Sequence, residues 1–369
     1  MGTEHKGIVV RLLAEEDIDR VNAFYNSLHP TARGKGQFEW EFLNAPAGKA
    51  IYVVAVDVSN GRIIGTQCVI PIDLVMDDGR TVRSGKSEDT LVDPGYRGRG
   101  VFELMYGPLF EECGRQGIVA IWGFTSAVKP FKRLGFEVPF NHGQGLFVRD
   151  ILGAYAHLDS LAPKNGLVKR ASILALCMVA RCAGLVRRMF SPGLPGAYRM
   201  ELGTTVHAGA DGLFHERIGE SVIGGSCRIE RSAAFMDWRF LNNPYGMMFW
   251  QARLYKDAEL LYDVIVSMST KGVCCVVEER AARALPPAER CMALSEVMRR
   301  IERQQQVVLW RAWHFDHHPV CKAEIRAHRK GGWLHLNRGI SFVWKALDQA
   351  HAPDPNGFIL SRLAGEGVS

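Results

Sequence analysis

The chain has 369 residues, room for two or three domains of the usual ~100–200 residues. With 47% hydrophobic and 23% charged residues it has the composition of a folded globular protein, which excludes long disordered or low-complexity architecture. The start, Met1-Gly2-Thr3-Glu4-His5-Lys6, lacks the apolar core of a secretory leader. Nine scattered cysteines without a Cys-x-x-Cys pair speak against a zinc ribbon or disulfide scaffold, and a reducing, cytoplasmic location is expected. Net charge is +6. Seven basic residues (Lys164, Lys169, Arg170, Arg181, Arg187, Arg188, Arg199) and no acid lie between 160 and 200, so the remainder sums to −1. Charge confined to one segment does not suit a nucleic-acid-binding face, and no nucleic-acid partner is expected.

In chain order, Gly7–Leu13 reads as a strand, followed by a helix with Glu15, Glu16 and Asp17 in its first turn, where acids suit the macrodipole. Ile18, Val21, Phe24 and Tyr25 follow at helical spacing. Strands are predicted at Ile51–Val58, Gly61–Met76 and Thr81–Val92, separated by the turn signals Ser59-Asn60-Gly61 and Asp77-Asp78-Gly79. A helix beginning near Arg99, a strand Ile118–Gly123, a short helix at Lys129–Leu134 and a strand near Phe136–Phe140 complete a β-α-β-β-β-α-β-α-β order. That is an α/β domain over residues 1–150.

Residues 151–200 are predicted to form a basic amphipathic helical linker. On a helix over Lys169–Phe190, Arg170, Arg181 and Arg188 fall within about 20° of one another. Arg181 interrupts the apolar run, so a membrane span is not expected. Two readings stay open: a helix on anionic lipid at the inner face of a membrane, contacting it through 169–190, or an inter-domain or homo-oligomer helix with a solvated basic face. Ser191-Pro192-Gly193-Leu194-Pro195-Gly196 ends the segment.

The rest of the chain contains an internal echo. Trp40, Phe42, Leu43, Asn44 and Pro46 match Trp238, Phe240, Leu241, Asn242 and Pro244 in register, and each copy precedes an apolar strand (Ile51–Val56, Met248–Leu254). This reads as a duplicated domain, with the second copy over residues 201–369.

Arg97-Gly98-Arg99-Gly100-Val101-Phe102 joins a predicted strand to a predicted helix. Two glycines remove Cβ atoms that would hold a phosphate off the backbone. The first helical turn leaves N–H donors unpaired and carries partial positive charge, which makes an anion site. Leu104, Met105, Leu109 and Cys113 supply the apolar face of the helix, and Gly107-Pro108 is expected to kink it.

With these residues the chain resembles the GNAT superfamily of acyl-coenzyme A-dependent N-acyltransferases. The pattern Arg/Gln-x-x-Gly-x-Gly/Ala matches at Arg97 and Gly100, and the strand and short helix ending in Leu-Gly-Phe match Ile118–Phe124 and Leu134-Gly135-Phe136. The chain most resembles tandem members, which implies two GNAT-like domains, each a mixed, mostly antiparallel sheet flanked by helices, joined by a helical linker. The resemblance implies acetyl-coenzyme A as donor and a small-molecule primary amine, such as an amino sugar or glycan precursor, as acceptor. Transfer of a longer acyl chain at a membrane surface and acyl-coenzyme A binding without turnover are the alternatives.

The resemblance further implies that backbone N–H groups of Arg97, Gly98, Arg99, Gly100, Val101 and Phe102 hold the pyrophosphate. It places Leu91, Val92 and Asp93 along the pantetheine arm, with Ser126 in place of an arm-binding Asn. It also places a carboxylate base on the strand of Ser87-Glu88-Asp89-Thr90. Neighbours on a strand face opposite ways, so at most one of Glu88 and Asp89 turns to the cleft, with Glu88 the expected base and a solvated pair of acids at the strand end the other reading. Two positions depart from the pattern: Phe102 replaces the final Gly/Ala, and Phe131 replaces the usual proton-donating Tyr. Tyr96, Tyr106 and the C-terminal carboxylate of Ser369 are substitute acids to weigh. The second copy reads Glu278–Pro287 where a phosphate loop is expected, without Gly-x-Gly, and so reads as degenerate. Trp313-His314-Phe315-Asp316-His317-His318 carries metal-type side chains but reads as a polar turn, and no metal is expected.

Overall fold

The computed structural model describes residues 3–5, 7–161, 166–189, 193–207, 226–282, 285–337 and 339–365. Near the N-terminus β1 (Thr3–His5) and β2 (Ile8–Leu12) pair as antiparallel neighbours. Ile8 and Val10 turn inward, while Arg11 turns to the buried carboxylate of Asp17. Arg11 Nη2 donates to Asp17 at 3.0 Å and Arg20 Nη1 at 2.9 Å. The hydrogen bond from Arg11 leads the causes that hold this carboxyl below the usual Asp range. Of the three acids before α1 (Ile18–Leu28), Asp17 therefore serves as a buried anchor more than as a dipole partner.

After α2 (Lys35–Phe38) the first sheet continues through β3 (Ile51–Asp57), β4 (Ile63–Met76), β5 (Thr81–Val92) and β6 (Ala120–Thr125). Both predicted hairpin turns form between these strands. α3 (Val101–Arg115) runs unbroken through Gly107-Pro108 and buries Val101, Met105, Tyr106, Leu109 and Cys113 against Val10, Val53, Ala55 and Ile64. α4 (Val128–Arg133) follows β6.

The next strand differs from the sequence expectation. Residues 136–140 make only a single bridge, Glu137 to Trp344, and the strand is β7 (His142–Val148). β7 does not join the first sheet. It pairs antiparallel with β13 (Leu309–Phe315) in a second sheet, and the position beside β6 is taken by β15 (Ser341–Ala346). The second sheet comprises β8 (Tyr198–Gly203), β10 (Met248–Lys256), β11 (Glu259–Met268), β12 (Val273–Ala281), β13, β7 and β14 (Leu334–Leu336). The sheet orders are β1-β2-β3-β4-β5-β6-β15, with β9 (Cys227–Ile229) on β4, and β14-β7-β13-β12-β11-β10-β8. Each sheet has one parallel junction, β5 with β6 and β12 with β13. The two sheets therefore repeat one strand order, and each closes on a strand from the other half of the sequence.

Side-chain room explains why β7 fits the second sheet. A Cβ at Gly145 would lie 2.4 Å from His314 Cε1, and one at Gly143 would lie 2.8 Å from His335 Cε1. Any larger residue would collide with these imidazoles. β15 in turn brings Phe342 against Phe140 with ring centroids 4.6 Å apart, and Trp122 packs edge-on against Phe358 at 5.2 Å.

The compact units are consequently discontinuous: residues 1–140, 223–245 and 340–358 in one, residues 141–222, 246–339 and 359–369 in the other. This differs from a contiguous division at residues 150 and 200. α5 (Ile151–Ser160) and α6 (Leu167–Met189) pack within the second unit, where Cys177 and Ala180 meet Leu146, Val148, Val273 and Leu309. The helices Pro287–Gln304 and Pro319–Lys330 also flank the second sheet.

Candidate functional site

The site is built on the parallel junction of the first unit. β5 and β6 are hydrogen-bonded only through Ser84/Ala120, Gly85/Ile121 and Lys86/Trp122. Past these rungs β5 continues on β4, and no further sheet pairing of Asp89–Val92 occurs among the described residues. Asp93 N–H donates to Ile64 O at 2.8 Å, which fixes the phase of the ladder. Strand alternation then turns the N–H and C=O of Val92 to the open edge, where Arg97 Nε reaches the carbonyl at 3.3 Å. Leu91, Val92 and Asp93 are all half-buried along this edge.

A bulge shapes the same stretch. Thr66 pairs with Leu91 and Cys68 with Glu88, so Asp89 and Thr90 together oppose Gln67. Asp89 takes φ +49°, a left-handed conformation uncommon outside glycine. Its carboxylate is locked: Arg33 Nη1 donates to it at 3.0 Å and the Tyr52 hydroxyl donates to the same oxygen. Arg33 is buried, donates from Nε to Asn22 at 2.9 Å, and lies 4.0 Å over the Tyr25 ring. Burial leads the causes that push the Tyr52 phenol well above its usual range, followed by the Asp89 charge. Thr66 Oγ1 completes the clamp by donating to Asp89 O at 2.9 Å. Sequence reasoning missed this arrangement because Arg33 lies 56 residues away from Asp89.

Glu88 is also buried, and its carboxylate pairs with Lys86 two residues earlier on the same strand face. Asp89 is thus the structural member of the acidic pair, and Glu88 is the member held beside the point where β5 and β6 part.

Between β5 and α3 the chain makes a short turn at Pro94–Tyr96, capped by Asp93 Oδ1 accepting from Gly95 N–H at 2.8 Å. Gly98 and Gly100 follow with φ +77° and +78°, values that side-chain-bearing residues adopt at a cost. Residues 97–100 are all exposed, and Gly100 caps α3. The N–H groups of Gly98, Gly100, Val101, Phe102 and Glu103 make no backbone hydrogen bond among the described residues. They form a donor cluster at the positive end of a 15-residue helix. Arg99 lies over the Tyr96 ring at 4.9 Å. The Tyr96 hydroxyl donates to Asp57, and that bond leads the causes that lower the Asp57 carboxyl to about 2.

The two departures from the family pattern touch each other. The Phe102 and Phe131 rings meet edge to face at 5.3 Å, and Phe131 also packs on Phe136 at 5.1 Å and Tyr106 at 5.9 Å. Both positions thus belong to one apolar cluster between α3 and α4. Tyr106 is fully buried there, with its hydroxyl 3.2 Å from Ser87 Oγ, and burial pushes its phenol above the usual range. Ser126 is exposed at the end of β6, beside the open end of the strand pair. Ser369 lies outside the described residues.

The equivalent junction of the second unit is filled. The β12–β13 ladder ends at Val276/Ala312, and beyond it His314 bridges His335 at 2.7 Å and His328 at 2.8 Å. His328 bonds Glu279 at 2.7 Å, Arg290 pairs with Glu279 at 2.5 Å, and Arg290 also reaches Glu324 at 3.2 Å. Burial, with His328 and His335 close by, lowers the His314 imidazole to about 2, so it stays neutral. Burial opposes the charge of Glu279, but Arg290 and His328 outweigh it and hold the carboxyl below its usual range.

The expected polar turn at Trp313–His318 is therefore corrected. Trp313, His314 and Phe315 end β13, and His314 is 2% exposed. Alternation from Trp310 through Ala312 was the signal that places it inward. Glu278–Ala281 likewise belong to β12, and Pro286-Pro287 lead into the next helix without Gly-x-Gly. No cluster of three or more metal-type side chains with metal-holding geometry occurs among the described residues.

Residues 9–138 match the family model described as an acetyltransferase (GNAT) domain. No curated protein matches the sequence. Among solved structures, a probable N-acyltransferase from Enterococcus faecalis V583 is similar with a TM-score of 0.58 at 11% identity, covering 92% of this chain and 73% of that one. A tandem GNAT protein from the clavulanic acid biosynthesis pathway gives 0.54 at 14% identity over 92% and 98% of the two chains. Saccharomyces cerevisiae N-myristoyltransferase with bound myristoyl-CoA gives 0.58 at 11% identity over 97% and 90%. At such identities these likenesses establish a shared fold, and the family model speaks for residues 9–138.

Proposed function

We propose that this chain, which residues 9–138 place in the GNAT superfamily of acyl-coenzyme A-dependent N-acyltransferases, moves an acetyl group from acetyl-coenzyme A to a primary amine. The observation that carries this reading is the exposed donor cluster of Gly98–Glu103, set beside the stretch Leu91–Asp93 of β5 where β5 has parted from β6. Pyrophosphate fits the first and the pantetheine amides fit the second, with Ser126 at the far side. The free amine nitrogen attacks the thioester carbonyl, the C–N bond forms, the C–S bond breaks, and the proton left on nitrogen passes to the departing thiolate to give coenzyme A. Glu88 takes the ammonium proton, and backbone N–H groups of β5 stabilise the oxyanion. The acceptor we assign is a small amine of the amino-sugar or glycan-precursor class. The first unit does this work, and the second unit, its junction filled by Glu279 and the histidines, supports it.

Calorimetric titration with acetyl-coenzyme A, coenzyme A and a longer acyl-coenzyme A tests the reading, on wild type and Gly100→Glu. The Cβ of residue 100 meets nothing within 4 Å, so the carboxylate adds charge without a packing clash, and Gly100→Ala, which carries the same backbone strain at φ +78°, is the control that must retain binding. Acetyl-coenzyme A binding that this variant abolishes supports the assignment. Preference for the longer chain replaces acetyl as the group transferred. No binding by folded protein overturns the coenzyme A reading altogether. Glu88→Gln that binds donor normally but loses kcat at least about 100-fold identifies the base.

A further inference from the structure

α6 is a 23-residue helix, about 34 Å long, whose outward face is apolar. Its inner face packs on the second sheet through Cys177, Ala180 and Gly184. On the opposite side Val168, Met178, Val179, Leu185, Val186 and Met189 are each between 41% and 83% exposed. At 100° per residue these six lie on an arc of about 120°. A solvent-facing helix surface normally carries polar residues, so this stripe is inverted relative to what water favours.

The charge around the stripe selects what covers it. α6 carries Lys169, Arg170, Arg181, Arg187 and Arg188 and no acidic residue. Lys169 and Arg187 project about 80° beyond one margin, and Arg170, Arg181 and Arg188 lie about 40–60° beyond the other. Arg170 and Arg188 are held by Asp159 at 3.3 Å and Glu302 at 2.7 Å, which anchors the helix to its own unit. A second copy of the chain would bring Lys169, Arg181 and Arg187 toward their own like charges, the other two arginines being compensated by Asp159 and Glu302. An anionic lipid surface instead accepts the apolar stripe among its acyl chains and the cations among its phosphates. No helix among the described residues is long and apolar enough to cross a membrane, so the contact is one of lying on the surface.

We infer that α6 docks the protein onto an anionic membrane surface, apolar stripe inward and basic margins at the headgroups. The inference does not depend on the acyl-transfer reading. Flotation of the full chain with vesicles of 70:30 phosphatidylcholine:phosphatidylglycerol and of pure phosphatidylcholine tests it. The variants are Val179→Asp with Val186→Asp, and Lys169→Glu with Arg187→Glu. All four side chains are exposed, and an unchanged unfolding midpoint verifies the fold. The expected result is binding to anionic vesicles that is weaker by about tenfold or more on neutral vesicles, in high salt, or in either variant pair. Absent binding, equal binding to both vesicles, or binding untouched by Val179→Asp with Val186→Asp overturns the inference. A concentration-dependent dimer dissolved by that pair, without vesicle binding, overturns it in favour of a second copy.

Discussion

Trp40 and Trp238 hydrogen-bond to each other reciprocally. Each indole N–H donates to the other residue's backbone carbonyl at 2.8 Å, and the rings stack with centroids 5.1 Å apart. Each indole sits in a π-helical turn that continues a one-turn helix, Glu39–Leu43 after Lys35–Phe38 and Asp237–Leu241 after Ala233–Met236. The sequence echo is thus a local two-fold: equivalent residues of the two copies face each other and exchange equivalent bonds.

Replacing either indole with phenylalanine leaves the opposite carbonyl buried without its donor. Trp40→Phe and Trp238→Phe should each lower stability by about 1–3 kcal/mol. The double variant should cost less than the sum by at least about 0.5 kcal/mol, because one arrangement is lost only once. Urea unfolding midpoints measure this, and strict additivity would contradict a reciprocal pair.

The clamp on the bulge makes a stronger prediction. Arg33→Met strips Asp89 of its buried counter-charge, and breaking such a pair costs about 3–5 kcal/mol. Because Asp89 holds the bulge that shapes the edge from Glu88 to Val92, Asp89→Asn should also weaken acetyl-coenzyme A binding. Calorimetry at a temperature where the variant stays folded checks the second effect.

Phe131→Tyr restores the family's proton donor by residue type. Here the ring is 4% exposed, among Phe102, Tyr106 and Phe136. The added hydroxyl should destabilise by about 1–3 kcal/mol and bring no gain in kcat. A rise in kcat would place this ring edge at the departing sulfur.

Glu324 sets a pH dependence. Burial leads its causes and the neighbouring Glu279 adds to it, raising the carboxyl from the usual 4.5 to about 8. The folded state therefore keeps a proton that the unfolded chain releases above 4.5. The stabilisation is full below that pH and is lost as pH rises through about 8. Glu324→Gln, neutral throughout, should gain on wild type between pH 5 and 8 by the order of 1–3 kcal/mol, then level off. Unfolding midpoints across pH 5–9 read the difference, and a flat difference curve would refute the shift.

Much of the first unit is legible in order. Alternation and turn residues locate β3 to β6, and the two positive-φ glycines of 97–100 announce the donor cluster before α3. These are local signals, set by pleat, helix period and glycine. Arg33 on Asp89 and His314 on His328 are not local. Their partners lie 56 and 14 residues apart, and only packing brings them together. Phe102 and Phe131 read singly as two defects, yet in space they are one aromatic contact.

The sequence by itself determines the elements, the duplication around Trp40 and Trp238, and the glycine loop, because each is encoded in neighbouring residues. It also contains the apolar and basic pattern of α6, though not which side of it meets water. Tertiary structure decides the rest. A strand's hydrophobic alternation is satisfied at either of two similar sheet edges. β7 enters the second sheet because Gly143 and Gly145 make room there for His335 and His314, and β15 takes the vacated edge beside β6.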